Sequence, residues 1–483
     1  MLDDLRQERE HKLERLADPY PARVRRTHTV AECQKRFGML SFLKRPVAVV
    51  GRIHGLRDQG NIIFADLRDG TGDIQLVLQK KGLSNFAEFK AALDIGDFVA
   101  AEGVLFKTKK GEKSVRAKSA GITAKSLRPL PSDWYGLKDP EERMRRRYLD
   151  FALNGEQRWL LEARAEIISD LRGFLRAEGF LEVETPVLQP IPGGARAKPF
   201  KTHYNALGQD FYLRVAPELY LKRLLVGGFE KVFEIGKVFR NEGIDRDHNP
   251  EFTELELYWA YQDYEGLMGF VEKMLKRYIP GNWERISFAE LFRKHAGKEW
   301  YEVPEAELDD IYKRKIRSAG AIERTTFVTD YPERIMALAK YKQDGNGGGN
   351  PSADGVNAPA RRLTESFQLI PGHEYVKGGP ELVKGFSEMN DPRLQRAQME
   401  EQEARFRKGD EEEARLDKDF LEALEYGMPP AAGMGLGIDR LVLLAVRRRF
   451  KEKFGREPEE VNGVRDIIAF PTLRQKDQNL SQH

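Results

Sequence analysis

Apolar residues recur at helical spacing over the first seventeen positions, where Leu2, Leu5, Leu13 and Leu16 stand among dense charges, and the pattern stops at Pro19-Tyr20-Pro21. This predicts an amphipathic helix within a lead-in covering residues 1–44. From 45 to 127 the period changes to two. VAVVGRIHGL, NIIFADLRDG, GDIQLVLQKK and DFVAAEGVLFKT alternate apolar with polar residues and are separated by Gly, Asp and Asn. Such runs predict half-buried strands joined by tight turns, and so a small antiparallel barrel.

The stretch 128–150 contains Pro129 and Pro131 and reads as a linker that passes into a helical pattern. Beyond it, RWLLEARAEIISDLRGFLRAEGF has apolar residues at helical spacing, and strand-like LEVETPVL, DFYLRVA, KVFEIGKVF and TELELYWAY follow among further helices. Without regular strand-helix alternation, residues 151–483 are expected to form a large antiparallel sheet with flanking helices, an α+β domain rather than a Rossmann fold. The tract 343–359, QDGNGGGNPSADGVNAP, is too poor in apolar residues to order itself and reads as a flexible surface insertion. A charged helix is expected over about 394–416, its Glu/Arg interleaving marking a solvated face.

Composition narrows the classes. With 483 residues, two or three domains are expected. No apolar run reaches eighteen residues and the N-terminus is charged from its third position, so neither a membrane span nor a signal peptide is expected, and the cytoplasm is the expected location. Cys33 is the only cysteine, which excludes an intrachain disulfide and a cysteine zinc site, leaving oxygen ligands for any metal. The formal charge of +3 does not mark a nucleic-acid binder. The basic clusters at 23–26, 107–113 and 143–147 each suit a solvated face. No glycine fingerprint of the dinucleotide or Walker type occurs.

Two segments carry candidate chemistry. FRNEGIDRDHNPEFTELELYWAY, from Phe239, reads as a hairpin that would bring Arg240 near Glu256 and leave Arg246 and His248 in the loop to meet a polyanion. GMGLGIDR, ending at Arg440, has glycines at alternate positions, which clear one face of a strand for a flat ligand. Either segment alone also fits ordinary ion pairing or packing; together they point to a nucleotide site.

The first of these resembles motif 2 of class II aminoacyl-tRNA synthetases, the second motif 3, and GFLEVETPVL resembles motif 1. The run from IPGGARAKPF to FRNEG is similar to lysyl-tRNA synthetases nearly residue for residue, and with an OB-fold anticodon-binding barrel at 45–127 the resemblance covers almost the whole chain. It implies an ATP-dependent lysine–tRNA ligase with Mg²⁺, L-lysine and tRNA(Lys) as its other participants, and a homodimer built on motif 1.

The resemblance also implies roles. Arg240 would contact the α-phosphate and the substrate carboxylate, Glu242 and His248 would hold ATP, and Phe252 and Arg440 would sandwich adenine. Gly194, Glu218, Glu256, Tyr258, Phe386 and Glu388 would form the lysine pocket. Glu381 and Glu388, seven apart in ELVKGFSE, match the magnesium-binding acids, Glu381 also serving ATP. Arg240, Arg440 and Glu388 would carry catalysis, by positioning and charge without a general base. In the barrel, Arg57, Phe64, Gln75 and Glu112 match anticodon readers, with Phe64 either a stacking platform or a core residue by its own pattern. Paired carboxylates in a desolvated pocket favour a cation between them, which suits lysine and disfavours aspartate or asparagine.

Two positions depart from the pattern: Lys384 stands where asparagine is usual, and Ser366 where arginine is usual. ERIMALAK lacks a Ser-Pro pair, and the region 276–325 is short. Two other readings share the motifs. One is the ligase that attaches a lysine-type residue to elongation factor P, which lacks the barrel and carries alanine and serine where Gly435 and Ala216 stand here. The other is a non-catalytic synthetase-like RNA-binding protein.

Overall fold

The computed structural model describes residues 2–131, 137–246, 248–333, 335–336, 338–342, 362–373, 375–376, 378–410, 412, 415–458 and 461–474, so the expected insertion at 343–359 lies outside the described residues. The chain divides into two compact units, Met1–Pro140 and Glu141–His483.

The first unit opens with the helix Leu2–Leu13, which ends before position 17, and continues through β1 (Pro46–Asp58), β2 (Ile62–Asp69), β3 (Gly72–Gln79), β4 (Phe98–Lys107) and β5 (Lys113–Ala124). These close into a barrel in the order β1-β2-β3-β5-β4. The two-residue period decides which side fills it. Ile63, Ala65 and Leu67 of β2 are buried inside, whereas Ile62, Phe64 and Asp66 lie on the outer surface. β5 is absent from the four runs recognised in the sequence. Its inward residues Val115, Ala117, Ala120 and Ile122 are mostly small, and register shifts at Phe98/Val99 and Glu102/Gly103 of β4 break its pairing. Both features blur the alternation on which a strand is recognised.

In the second unit come β6 (Leu181–Glu182), β7 (Leu188–Gln189), β8 (Lys201–Tyr204), β9 (Gln209–Leu213), β10 (Lys231–Phe239), β11 (Glu251–Ala260), β12 (Glu284–Ser287), β13 (Thr326–Thr329), β14 (Ser366–Ile370), β15 (Val383–Ser387) and β16 (Ala431–Gly437). Among the described residues, eight of them form one sheet in the order β12-β13-β14-β15-β16-β11-β10-β6, and β7-β9-β8 make a separate three-stranded sheet. The large sheet is antiparallel through its centre, but β6 pairs parallel with β10 and β12 parallel with β13, so it is mixed at its edges.

One face of this sheet makes the core. Leu255 and Leu257 of β11 pack in a cluster with Leu160, Ile167 and Leu171 of the helix Gly155–Ala177, and with residues of the helices Tyr264–Leu275 and Ile438–Phe454. Each fully buried side chain of this kind contributes about 1.5–3 kcal/mol. Alternation then places Phe252, Glu254, Glu256 and Tyr258 on the opposite face, where the site lies. The helix expected over 394–416 runs Pro392–Arg407, capped by the Asp391 carboxylate, which accepts from Arg393 N. It stops earlier because Gly409 takes a φ of 105°.

Candidate active site

The central row of the site face is set by register. Glu234 of β10 pairs with Glu256 of β11, Glu256 with Gly435 of β16, and Gly435 with Lys384 of β15. Adjacent rows place Tyr258, Gly433 and Phe386 together, and Glu254 beside Gly437. The glycines of GMGLGIDR therefore line the same face as the acids. A Cβ on Gly433 would collide with Glu388 Oε1 and the Tyr258 ring, and one on Gly435 would come 3.1 Å from Glu254 Oε1.

The residues expected to hold lysine converge. Glu218 opens the helix Glu218–Val226, and Gly194 lies against it at φ 88°, where a Cβ would be 2.9 Å from that of Glu218. Glu256 is buried and accepts from Tyr258 Oη at 3.1 Å. Glu388 is buried at the end of β15, its Oε1 without a hydrogen-bond partner. Phe386 completes the wall, its ring 5.5 Å from Lys222 Nζ. Lys222, which the sequence reading did not single out, places its ammonium 2.5 Å from Glu218 Oε1 and 2.5 Å from Glu388 Oε2. Its spacing of four from Glu218 is the signal that puts both on one helix face.

Burial dominates the electrostatics. It pushes the Glu256 carboxyl well above the usual range, with the Glu254 charge adding to the effect. Burial likewise pushes the Glu388 carboxyl up to about 8, against the opposing pull of the Lys222 ammonium. Glu234, the neighbour of Glu256, is already satisfied. Arg214 Nη1 lies 2.5 Å from its Oε1, and Thr185 Oγ1 donates to its Oε2 at 2.6 Å.

On the nucleotide side the hairpin brings Arg240 near Glu256, as expected, its charge opposing the rise of that carboxyl. The acid paired with Arg240 is Glu254, at 3.8 Å, rather than Glu256, because Arg240 lies past the end of β10, whereas Glu256 pairs with Glu234 four residues inside the strand. Glu254 was not recognised as a site residue, although the alternation of TELEL places it on the face of Glu256. It is half-buried with Oε2 lacking a hydrogen bond, and desolvation raises its carboxyl. The Arg240 guanidinium covers the Phe252 ring at 4.9 Å. Arg440 donates to the Glu381 carbonyl at 2.7 Å and lies 3.4 Å from His248 Nε2, while His248 Nδ1 is held by Asp245 at 2.9 Å. Glu242 is exposed in the hairpin loop.

The expected magnesium pair does not fit one ion. Residues 383–387 run extended as β15 beside β16, which keeps the Cα atoms of Glu381 and Glu388 on the order of 20 Å apart. Magnesium needs its oxygen ligands about 2.1 Å from the metal. Glu388 is moreover committed to Lys222. Of the two departures, Ser366 is fully buried, with Oγ 2.8 Å from Thr364 Oγ1 and accepting from Tyr331 N, whereas Lys384 is half-buried.

On the barrel, Arg57 pairs with Phe64 in register and its guanidinium lies 5.9 Å from the ring centre. Phe64 is half-buried on the outer surface, two residues from Asp66, which pairs with Gln75. Gln75 is only 4 % exposed, its Oε1 accepting from Ser114 Oγ at 3.2 Å, so little of its amide faces outward. Glu112 is exposed, two residues before Ser114.

Comparison with known proteins accounts for both units. Residues 139–474 match the model of class II tRNA synthetases (D, K and N), and residues 47–122 match an OB-fold nucleic acid binding domain. Lysine–tRNA ligase of Pelotomaculum thermopropionicum is 39% identical, covering 99% of this chain and 96% of the relative. The enzyme of that name from Roseiflexus castenholzii is 41% identical over 99% of this chain and 100% of the relative. One from Dehalococcoides mccartyi is 39% identical over 96% of each. With an acidic cleft beside an arginine-bearing hairpin, a glycine-lined strand and an OB barrel in the same chain, this protein belongs to the lysine–tRNA ligase family of class II tRNA synthetases.

Proposed function

We propose that the protein couples ATP to L-lysine, giving lysyl-adenylate and pyrophosphate, and then transfers the lysyl group to the 3′-terminal adenosine of tRNA(Lys). The observation that carries this reading is the buried carboxylate pocket of Glu256 and Glu388, with Tyr258 and Phe386 as walls, set beside Arg240. Such a pocket accepts an ammonium and rejects side chains that would leave its acids unpaired.

In this reading Glu218, at the mouth formed with Gly194, takes the α-ammonium, and Glu256 and Glu388 take the side-chain ammonium. Arg240 leaves the Phe252 ring to reach the substrate carboxylate and the α-phosphate. Phe252 and Arg440 then hold adenine between them, with Glu242 and His248 on the rest of the nucleotide. The substrate carboxylate is already ionised at neutral pH, so its attack on the α-phosphorus requires no general base, and orientation with charge stabilisation supplies the catalysis. Glu381, half-buried, is what remains to meet the magnesium that ATP carries on its phosphates, an ion that supplies positive charge to the leaving pyrophosphate.

The OB barrel supports tRNA as the acceptor over elongation factor P, with Phe64 stacking an anticodon base and Arg57, Gln75 and Glu112 around it. The retained acids and arginines favour an enzyme over a non-catalytic RNA binder. Exposed Leu181, Val187 and Leu188 in the motif 1 segment support a homodimer, and the reading places the enzyme in the cytoplasm. Lysine-dependent ATP–pyrophosphate exchange tests the proposal. Glu256→Gln should raise the lysine KM about tenfold or more with the ATP KM nearly unchanged; equal losses for both substrates would contradict the pocket assignment.

A further inference from the structure

Lys222 occupies the place where a substrate ammonium would be sought. Its side chain is wholly buried, with Nζ 2.5 Å from both Glu218 Oε1 and Glu388 Oε2. The aromatic rings of Phe386 and Tyr258 stand 5.5 and 5.9 Å from it. The same walls that define the lysine pocket therefore already enclose a cation tethered to the helix Glu218–Val226.

We propose that Lys222 is a specificity-setting positioning residue: an internal counter-cation that fixes the pocket's charge at the value which the two ammonium groups of a diamino acid cancel. This rests on the lysine reading above. Glu218, Glu256 and Glu388 bring three negative charges when ionised, and Lys222 returns one positive. Two remain, matching the α- and side-chain ammonium groups of lysine, while the substrate carboxylate faces Arg240. Glu254 adds a further negative charge beside Glu256, which Arg240, 3.8 Å away, offsets. An amino acid with one ammonium leaves a buried carboxylate uncompensated. Without Lys222 the pocket carries one negative charge too many, and a carboxyl must take up a proton or a stray cation instead of substrate.

The tether also orients the acceptor. Lys222 holds Glu388 by Oε2, leaving Oε1 over Gly433, where it has no hydrogen-bond partner. Of the two oxygens, it is Oε1 that is left for the ligand, and it lies on the same side as Tyr258. Lys222 thus acts through Glu218 and Glu388 rather than on the reacting atoms.

The test is lysine-dependent ATP–pyrophosphate exchange with the full-length protein and its Lys222→Met and Lys222→Arg variants. Lys222→Met should raise the lysine KM at least about tenfold while the ATP KM stays within about threefold, and Lys222→Arg, which keeps the charge, should recover part of the loss. A lysine KM for Lys222→Met within about threefold of the parent overturns the inference. Should the Met variant fail to fold, a crystal structure of the unaltered protein with lysine decides. Lys222 Nζ still bridging Glu218 and Glu388 supports the role, and its displacement from both overturns it. Absence of lysine-dependent exchange in the unaltered protein removes the function reading and this inference together.

Discussion

Glu256 and Lys384 face each other across Gly435: each pairs with that glycine in register, one from β11 and one from β15. Their Cα atoms are therefore about 10 Å apart, and the Glu254 carboxylate reaches over the glycine between them. Lys384 is half-buried and makes no hydrogen bond or ion pair among the described residues. The relationship separates a tolerated substitution from a working cation. Because Lys384 has no partner to lose, Lys384→Asn should leave lysine-dependent exchange within about threefold of the parent. Abolished exchange would show that this ammonium acts on the substrate.

The pocket acids predict a pH dependence. Burial pushes the Glu388 carboxyl up to about 8 and raises Glu256 as well, yet an ammonium is held best by ionised carboxylates. Lysine binding must therefore release protons below that range. The lysine KM should fall as pH rises from 6.5 to 8, by about tenfold, and then level off. For the free protein the sign is opposite: a raised carboxyl favours the folded state most below its ordinary value near 4.5, and that contribution is lost as pH rises towards 8. Calorimetry in buffers of different ionisation enthalpy checks the first half, and no proton release between pH 6.5 and 8 would refute it.

Gly433 and Gly435 should differ although both lie on the site face. A methyl on Gly433 would strike Glu388 Oε1 and the Tyr258 ring, which the surrounding packing holds in place. One on Gly435 comes 3.1 Å from the end of the Glu254 side chain and makes an ordinary contact, 3.8 Å, with Glu256 Cγ. Gly433→Ala should then cost about 1–3 kcal/mol in lysine recognition, read as a raised lysine KM, and Gly435→Ala distinctly less. Equal effects would mean that the strand as a whole shifts.

The barrel makes a separable prediction. Phe64 presents a half-buried ring on the outer surface beside Arg57. Loss of a stacking platform costs about 1–3 kcal/mol per base, so Phe64→Ala should raise the tRNA KM in charging by about tenfold or more and leave lysine-dependent exchange unchanged. Unaltered charging would assign the ring to packing.

Periodicity alone established much of this protein. The alternation of NIIFADLRDG and TELELYWAY determined which side chains enter a core and which face outward, since a strand permits no other arrangement. The glycines of GMGLGIDR could be assigned to one cleared face for the same reason. What lay beyond reach was everything set by pairing between distant strands. Glu254 rather than Glu256 meets Arg240 because β10 ends where it does, and Glu381 and Glu388 diverge because the segment between them is extended. Lys222 is one more lysine on a helix until the end of β15 brings Glu388 to it. A side chain's face is a local property of the backbone, whereas its charge partner depends on register across the sheet, which only the folded chain defines.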